Sequence, residues 1–264
     1  MKIILFDLDG TLVSSGGAGR NALNKALKKL YGKGNICTRG FLAGSTDKDN
    51  FSRAYQKATG KKSSAKELSD IKKLYLKLLP AEVTKAVAKG EYSQIKGVKK
   101  LLTKLSDYKE VLIGLGTGNI KGGAEIKLKP SGLKKFFSFG GFGCDSHKRS
   151  NALKKGVARA VKIAKKKILP SDVYIVGDTC KDVSAAMECN YHSAVVTCGY
   201  GDKKDLIRSG AELILPDFSD LNTWLMWFGL KPDPKGVERR AYICPDSPID
   251  HVHFGRTGQD EPLK

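Results

Sequence analysis

The feature that most constrains this chain is its opening. The apolar run Lys2-Ile3-Ile4-Leu5-Phe6 ends abruptly in Asp7-Leu8-Asp9-Gly10-Thr11-Leu12. A short apolar run bounded by a turn signal reads as a strand buried on both faces. Two carboxylates two residues apart in extended chain lie on one side, so Asp7 and Asp9 face one pocket. Gly10 then lets the chain turn sharply and approach a ligand closely. The same two acids interrupt the run too early for a secretory leader. No stretch reaches the roughly 18 apolar residues that would span a bilayer. The expectation is a soluble, cytoplasmic protein.

Four more apolar runs read as buried strands, at 111–115, 173–176, 194–196 and 213–215. Between them lie helical patterns: Val98, Leu101, Leu102 and Leu105; Ala152, Leu153, Val157, Ala160, Val161 and Ala164; Val183, Ala186 and Met187. Strands alternating with helices predict an α/β fold, a Rossmann-like parallel sheet with helices on both faces. Catalytic groups in such a sheet belong at the carboxyl ends of the strands. The alternation fails between residues 13 and 95. There Ala22, Leu23, Ala26, Leu27 and Leu30, then Leu68, Ile71, Leu74, Tyr75 and Leu78, have helical spacing. Pro80 is expected to open or break a later helix, and no strand is expected in this stretch. The division that follows is a core of residues 1–13 and 96–228, a helical insertion at 14–95, and a tail at 229–264. The tail holds five of the nine prolines, so it is expected to be irregular.

A second acid pair, Asp178 and Asp182, follows the run at 173–176. Side by side in one sheet, Asp7, Asp9, Asp178 and Asp182 would repel strongly without a cation, and an all-oxygen site favours Mg²⁺. The run at 111–115 is followed by Gly116-Thr117-Gly118-Asn119, whose hydroxyl, glycine and amide suit the cradling of a phosphoryl oxygen. Lys148 and Arg149 precede Ser150, which is expected to cap a helix. A cation at that position offers charge and backbone N–H groups to one anion. The residues alone leave open which of Lys148 and Arg149 faces it. His147 reads as an exposed loop residue. Asp250, His251 and His253 could imitate a metal site but lie in the proline-rich tail.

In this order and spacing, these four elements resemble the haloacid dehalogenase superfamily of aspartate-dependent phosphohydrolases. The insertion looks like that family's cap of the first (C1) type. The stretch from Gly140 to Arg149, and Gly16-Gly17-Ala18-Gly19-Arg20, look like the phosphoglycolate-phosphatase-like branch, whose pattern favours Arg149 over Lys148. The resemblance implies Asp7 as nucleophile, Asp9 as general acid and then base, Thr117 holding phosphoryl oxygens, and Arg149 neutralising charge. It implies Mg²⁺ on the Asp7 carboxylate, the Asp9 carbonyl and the Asp178 carboxylate, with Asp182 in support. Gly118 and Asn119 are expected to contact substrate. Arg20, off the buried stripe of its helix behind a glycine hinge, is expected to meet the far end of an acidic one. The substrate would be a small phosphorylated metabolite, with phosphoglycolate suggested by the branch.

A net charge of +20 raises a nucleic-acid or polyanion reading. The lysines come as scattered doublets rather than one basic element with interleaved aromatics, which favours a solvated surface. The complete set of catalytic residue types argues against a non-catalytic polyanion-binding module. Asp9 argues against dehalogenation, since a carbon–halogen bond needs no leaving-group acid; a phosphosugar mutase shares both aspartates and stays open. The six cysteines, with no CxxC pair in so long a chain, read as reduced thiols.

Overall fold

The computed structural model describes residues 1–42, 44–232 and 242–243. Strand β1 (Lys2–Phe6) is followed by β2 (Val13–Ser15) and four helices: α1 (Ala18–Tyr31), α2 (Arg39–Leu42), α3 (Asp47–Thr59) and α4 (Ala65–Ala88). Strand β3 (Tyr92–Gln94) then pairs antiparallel with β2. The remaining chain alternates through α5 (Val98–Leu105), β4 (Val111–Gly116), α6 (Lys121–Leu128), β5 (Gly140–Gly141) and α7 (Arg149–Ala164). It continues with β6 (Val173–Gly177), α8 (Cys180–Met187), β7 (His192–Val196), α9 (Lys203–Ile207), β8 (Leu213–Leu215), α10 (Leu221–Trp227) and β9 (Tyr242–Ile243). The main sheet has the order β5-β4-β1-β6-β7-β8-β9. Its first six strands are parallel, as the alternation predicts.

Strand β1 lies between β4 and β6. Its period-2 alternation divides it between two cores. Ile4 and Phe6 join Leu101, Leu105, Trp224 and Phe228 on one face. Ile3 and Leu5 join Leu153, Ala160 and Ala186 on the other. Helices therefore cover both faces, and the strand is buried from Ile3 to Phe6. The Asp7 N–H donates to the Val176 carbonyl at 2.8 Å, so the ladder to β6 runs one residue past the strand. That bond fixes Asp7 beside the end of β6.

The four helices between β2 and β3 bury a cluster of their own, with Leu23 and Leu27 against Phe51, Ala54, Tyr75 and Leu79. Two expectations for this stretch fail. The strands β2 and β3 were not anticipated, because three-residue strands rich in Ser and Gln are too short to show alternation. Helix α4 also runs straight through Pro80. Pro80 is exposed on the solvent side, where water can satisfy the carbonyl that loses its N–H partner. Ile71, Tyr75, Leu79, Val83 and Ala86 bury the opposite face on both sides of it. The Ser64–Glu67 capping box starts this helix.

Two further differences lie at the sheet edges. Strand β5 is only Gly140–Gly141, which offers no side-chain pattern to read. In the tail, expected to be irregular, Tyr242–Ile243 pairs antiparallel with Leu213 and Ile214. Asp250, His251 and His253 lie outside the described residues.

Strand β5 sets the position of α7. A Cβ on Gly141 would stand 1.9 Å from the Ala152 carbonyl oxygen, and one on Gly156 would stand 2.7 Å from the Gly141 nitrogen. Strand and helix backbones touch here with no room for a side chain. Gly141→Ala is therefore expected to lower stability by about 2 kcal/mol or more in urea denaturation. Gly40→Ala in α2, where an added Cβ meets nothing within 4 Å, is expected to cause no loss.

Candidate active site

The ends of β4, β1 and β6 lie side by side, and the loops leaving them enclose a cavity of about 530 Å³. Asp7, Asp9, Gly118, Asn119, Arg149 and Asp178 line it from the core, and Arg20, Arg39, Asp47 and Tyr75 line it from the helical insertion. Asp7 is 7% exposed and Asp178 and Asp182 are 1% exposed. One cation answers them directly. Arg149, itself buried, pairs through Nη2 with Asp7 Oδ2 at 3.1 Å and with Asp182 Oδ1. Lys148 is exposed and pairs with Glu188 at 2.9 Å, so of the two cations Arg149 is the one that faces the buried carboxylates. The expected cap at Ser150 moves two residues back. Helix α7 starts at Arg149 with Lys148 as its N-cap residue, so Ser150 lies within the first turn. His147 is exposed, and its carbonyl accepts a hydrogen bond from Thr46.

Arg149 is aimed by the loop before it. Asp145 accepts two bonds from Arg159, at 2.6 and 2.7 Å, and a third from the Phe142 N–H at 2.9 Å. Asp182 is anchored as well, since its Oδ2 accepts from the Thr179 N–H at 3.0 Å and the Thr179 hydroxyl at 2.8 Å in a capping box for α8. Asp178 Oδ2 accepts from the Tyr200 N–H at 2.6 Å. The chain crowds Asp178, with an added Cβ on Gly10 or Gly199 falling 2.1 or 2.3 Å from its Oδ2. Gly10 also has a φ of 84°, the left-handed region that favours glycine.

Asp9 belongs to a different network. Its Oδ1 accepts from the Ser15 hydroxyl at 2.5 Å, and its Oδ2 accepts from Lys127 Nζ at 2.5 Å and Asn119 Nδ2 at 3.0 Å. Asn119 also donates to Thr117 Oγ1 at 2.9 Å and accepts from Lys127 at 2.7 Å. The side chain expected to contact substrate therefore has its amide committed to Asp9 and its neighbours. Gly118, expected in the same role, receives the insertion: its carbonyl accepts from the Asp47 N–H at 2.7 Å, and a Cβ on it would lie 2.4 Å from the Ser45 carbonyl oxygen. Thr117 is buried beside Asp7, whose carboxylate it hydrogen-bonds. Arg20 lies over Gly17 at the cavity wall, and among the described residues no partner pairs with its guanidinium.

Two site residues escaped the sequence reading. Lys127 is 5% exposed on α6 beside Gly123, Ala124 and Leu128, so a lysine within an apolar helical stripe was the signal. Asp47 caps α6 from the insertion, with Oδ2 accepting from the Ile120 N–H at 2.9 Å. In the sequence it looks like an ordinary acid in the first turn of α3, and nothing marks it.

The electrostatics follow from burial. Desolvation, opposed by Arg149 and helped by Asp182, pushes the Asp7 carboxyl up to about 6. Burial and repulsion from Asp182 and Asp7 push the Asp178 carboxyl well above its ordinary value. Burial would raise Asp9 too, but the Lys127 ammonium and the bonds from Lys127, Ser15 and Asn119 hold it below its usual value. Asp7, Asp178 and Asp182 each offer an oxygen, and these lie within 4.8 Å of one another. Three carboxylates against one guanidinium leave a deficit of two positive charges. Asp7 Oδ1 is buried with no hydrogen-bond partner. A hard divalent cation fits this oxygen-only, under-neutralised group.

A carboxyl with a folded pKa near 6 against an ordinary 3.8 keeps its proton in the folded state over that interval while the unfolded chain has lost it. Its contribution to stability therefore falls as pH rises between those values. A cation must displace that proton, so binding strengthens as pH rises. Thermal melts should show Mg²⁺ raising Tm by more at about pH 7 than at about pH 5. An equal shift at both would contradict the placement of the cation at Asp7.

Known proteins resemble this chain in sequence and in fold. Residues 4–196 match the family model described as haloacid dehalogenase-like hydrolase. The chain is 30% identical over 125 residues to the phosphoglycolate phosphatase of Synechococcus elongatus, a match covering 47% of this chain and 56% of that protein. The chain thus spans just over half the length of the curated relative it matches. Among solved structures, a predicted phosphatase from Clostridium acetobutylicum superimposes with a TM-score of 0.63 at 21% identity, covering 86% of this chain and 98% of the other. A predicted phosphoglycolate phosphatase from Haemophilus somnus gives 0.61 at 20% identity, covering 85% and 97%. The structural likenesses speak to the fold, and the family model spans well over half of the sequence: the chain belongs to the haloacid dehalogenase-like hydrolase family.

Proposed function

We propose that this protein is a Mg²⁺-dependent phosphatase that hydrolyses a small phosphorylated metabolite through an aspartyl-phosphate on Asp7. One observation carries the reading. Two buried groups of opposite character lack hydrogen-bond partners around the same ion pair: Asp7 Oδ1 and the Nε–H of Arg149. A buried polar atom left unpaired costs about 1–3 kcal/mol, and a phosphoryl group answers both, with phosphorus toward the carboxylate and an oxygen toward the guanidinium.

In this reading the Asp7 carboxylate, oriented by Arg149, attacks phosphorus as the bond to the leaving alcohol breaks. Asp9 hands a proton to that alcohol and later takes one from the water that cleaves the Asp7–phosphorus bond and frees phosphate. Thr117 and the backbone of its loop support the phosphoryl oxygens. Asp7 and Asp178 would hold the metal with the Asp9 carbonyl, and Asp182 would support it by fixing Arg149. When bound, the cation supplies charge neutralisation for the transferring group. The helical insertion, residues 14–95, acts as a cap that closes the site from water.

The substrate class rests on the cap and on the similarity to the cyanobacterial phosphoglycolate phosphatase. Arg20 offers an unpaired guanidinium at the wall, and Arg39 stands over the Tyr200 ring at 5.2 Å. Both suit an anionic far end, such as the carboxylate of phosphoglycolate. The test is phosphate release with Mg²⁺ across a panel of phosphorylated metabolites, with organic products analysed alongside. Free phosphate is expected; an isomerised sugar phosphate without it would indicate a mutase, and salt-sensitive polyanion binding without turnover a binding module. Arg20→Ala should raise KM for a phosphorylated carboxylic acid about tenfold and leave hydrolysis of an aryl phosphate nearly unchanged. Equal losses on both, or none on either, would remove Arg20 from substrate recognition.

A further inference from the structure

The buried lysine on α6 has no part in the scheme above, yet it is the most constrained cation of the site after Arg149. Its ammonium reaches Asp9 Oδ2 at 2.5 Å and Asn119 Oδ1 at 2.7 Å. Asn119 in turn donates to the same Asp9 oxygen at 3.0 Å, so the three groups close a ring. With Ser15 on Oδ1, both oxygens of Asp9 are occupied and its rotation is blocked.

The insertion covers this ring. A Cβ on Gly19, in α1, would stand 2.9 Å from Lys127 Nζ and 3.3 Å from the Tyr75 hydroxyl of α4. The two helices thus close over the ammonium, and a side chain at position 19 would press on it. The backbone of Lys127 is tied to the insertion as well, because the Tyr92 hydroxyl of β3 donates to its carbonyl at 2.8 Å. Burial would lower the pKa of a lysine, but the attraction of Asp9 outweighs it and keeps the ammonium charged. Lys127 is a core residue whose ammonium the insertion covers and whose carbonyl it hydrogen-bonds.

We infer that Lys127 is a positioning residue for Asp9, set in place by closure of α1 and α4, and that it readies Asp9 as the base of the second half-reaction. The inference rests on the phosphatase reading. In that half-reaction a water oxygen bonds to phosphorus, the Asp7–phosphorus bond breaks, inorganic phosphate leaves, and the water proton passes to Asp9. A carboxylate fixed as an acceptor by a lysine, an amide and a hydroxyl is arranged for that transfer. The first half-reaction depends on Asp9 less when the leaving group is a stable phenolate, which needs no proton.

The two halves are separable with p-nitrophenyl phosphate. For Lys127→Met, which keeps the length and removes the donor, kcat should fall about 100-fold. The ratio kcat/KM, which reports phosphorylation, should stay within about threefold of wild type. Rapid mixing should reveal a burst of p-nitrophenol approaching one equivalent per active enzyme, because the phosphoenzyme accumulates. Gly19→Ala keeps every charge and presses on the ammonium; it should give a smaller burst and a kcat about tenfold down, again with kcat/KM retained. A kcat/KM that falls with kcat and no burst in either variant would overturn the inference, and so would wild-type kinetics in both. A wild-type enzyme inactive on every phosphate would instead overturn the phosphatase reading, and this inference with it.

Discussion

The structure is organised around the burial of three carboxylates beside one guanidinium. Asp7, Asp178 and Asp182 sit almost out of solvent at the ends of two adjacent parallel strands, and Arg149 reaches two of them. Charges are taken out of water only at a cost of several kcal/mol each. Such a cluster persists where the fold forces it, and it suits a further cation. The force comes from β1, which is buried on both faces and leaves no freedom to displace Asp7. Strand β6, its partner, brings Asp178 and Asp182 alongside in the same way. The backbone contact between Gly141 and α7 then carries Arg149 to the one place where it can answer both Asp7 and Asp182.

The same constraint explains the rest of the cavity. Residues 44–47 of the insertion dock on the three loops that carry the charged groups. Asp47 donates to the Gly118 carbonyl, Thr46 to the His147 carbonyl, and Ser45 accepts from Lys181 at 2.7 Å. Arg149 donates to the Gly44 carbonyl at 3.3 Å. These bonds hold the insertion over the acids and raise the strength of every electrostatic interaction beneath it. Asp9 is separated from its neighbours by this arrangement. Its own cation, Lys127, holds its carboxyl below the usual value, while burial pushes the carboxyls of Asp7 and Asp178 up.

The sequence discloses what depends on short spacing and buried runs. Strand β1 with its two acids was legible because a five-residue apolar run cannot end in Asp-Leu-Asp-Gly without a reason. The same logic located β4, β6, β7 and β8, and with them Thr117, Asp178 and Asp182. It failed where side chains carry no pattern. Strand β5 is two glycines, and β2 and β3 are polar triplets. Pro80 misled because a proline on the wet face of a long helix does not break it when both flanks are anchored. Residue types were legible, but the contacts they make were not. The Asn119 amide bonds Asp9, and the Gly118 carbonyl accepts from the insertion. Asp47 was hidden because its partner, the N–H of Ile120, lies 73 residues away, a distance no local spacing reveals.

The central claim is that Asp7 becomes covalently phosphorylated. Acid-quenching the protein during turnover with Mg²⁺ and a hydrolysed phosphate, followed by mass spectrometry of its peptides, tests it directly. The account predicts one added phosphoryl group on the peptide that carries Asp7, labile at alkaline pH as an acyl phosphate is, and absent from Asp7→Asn. Turnover by Asp7→Asn at the wild-type rate, or a phosphoryl group on any other residue, would contradict it.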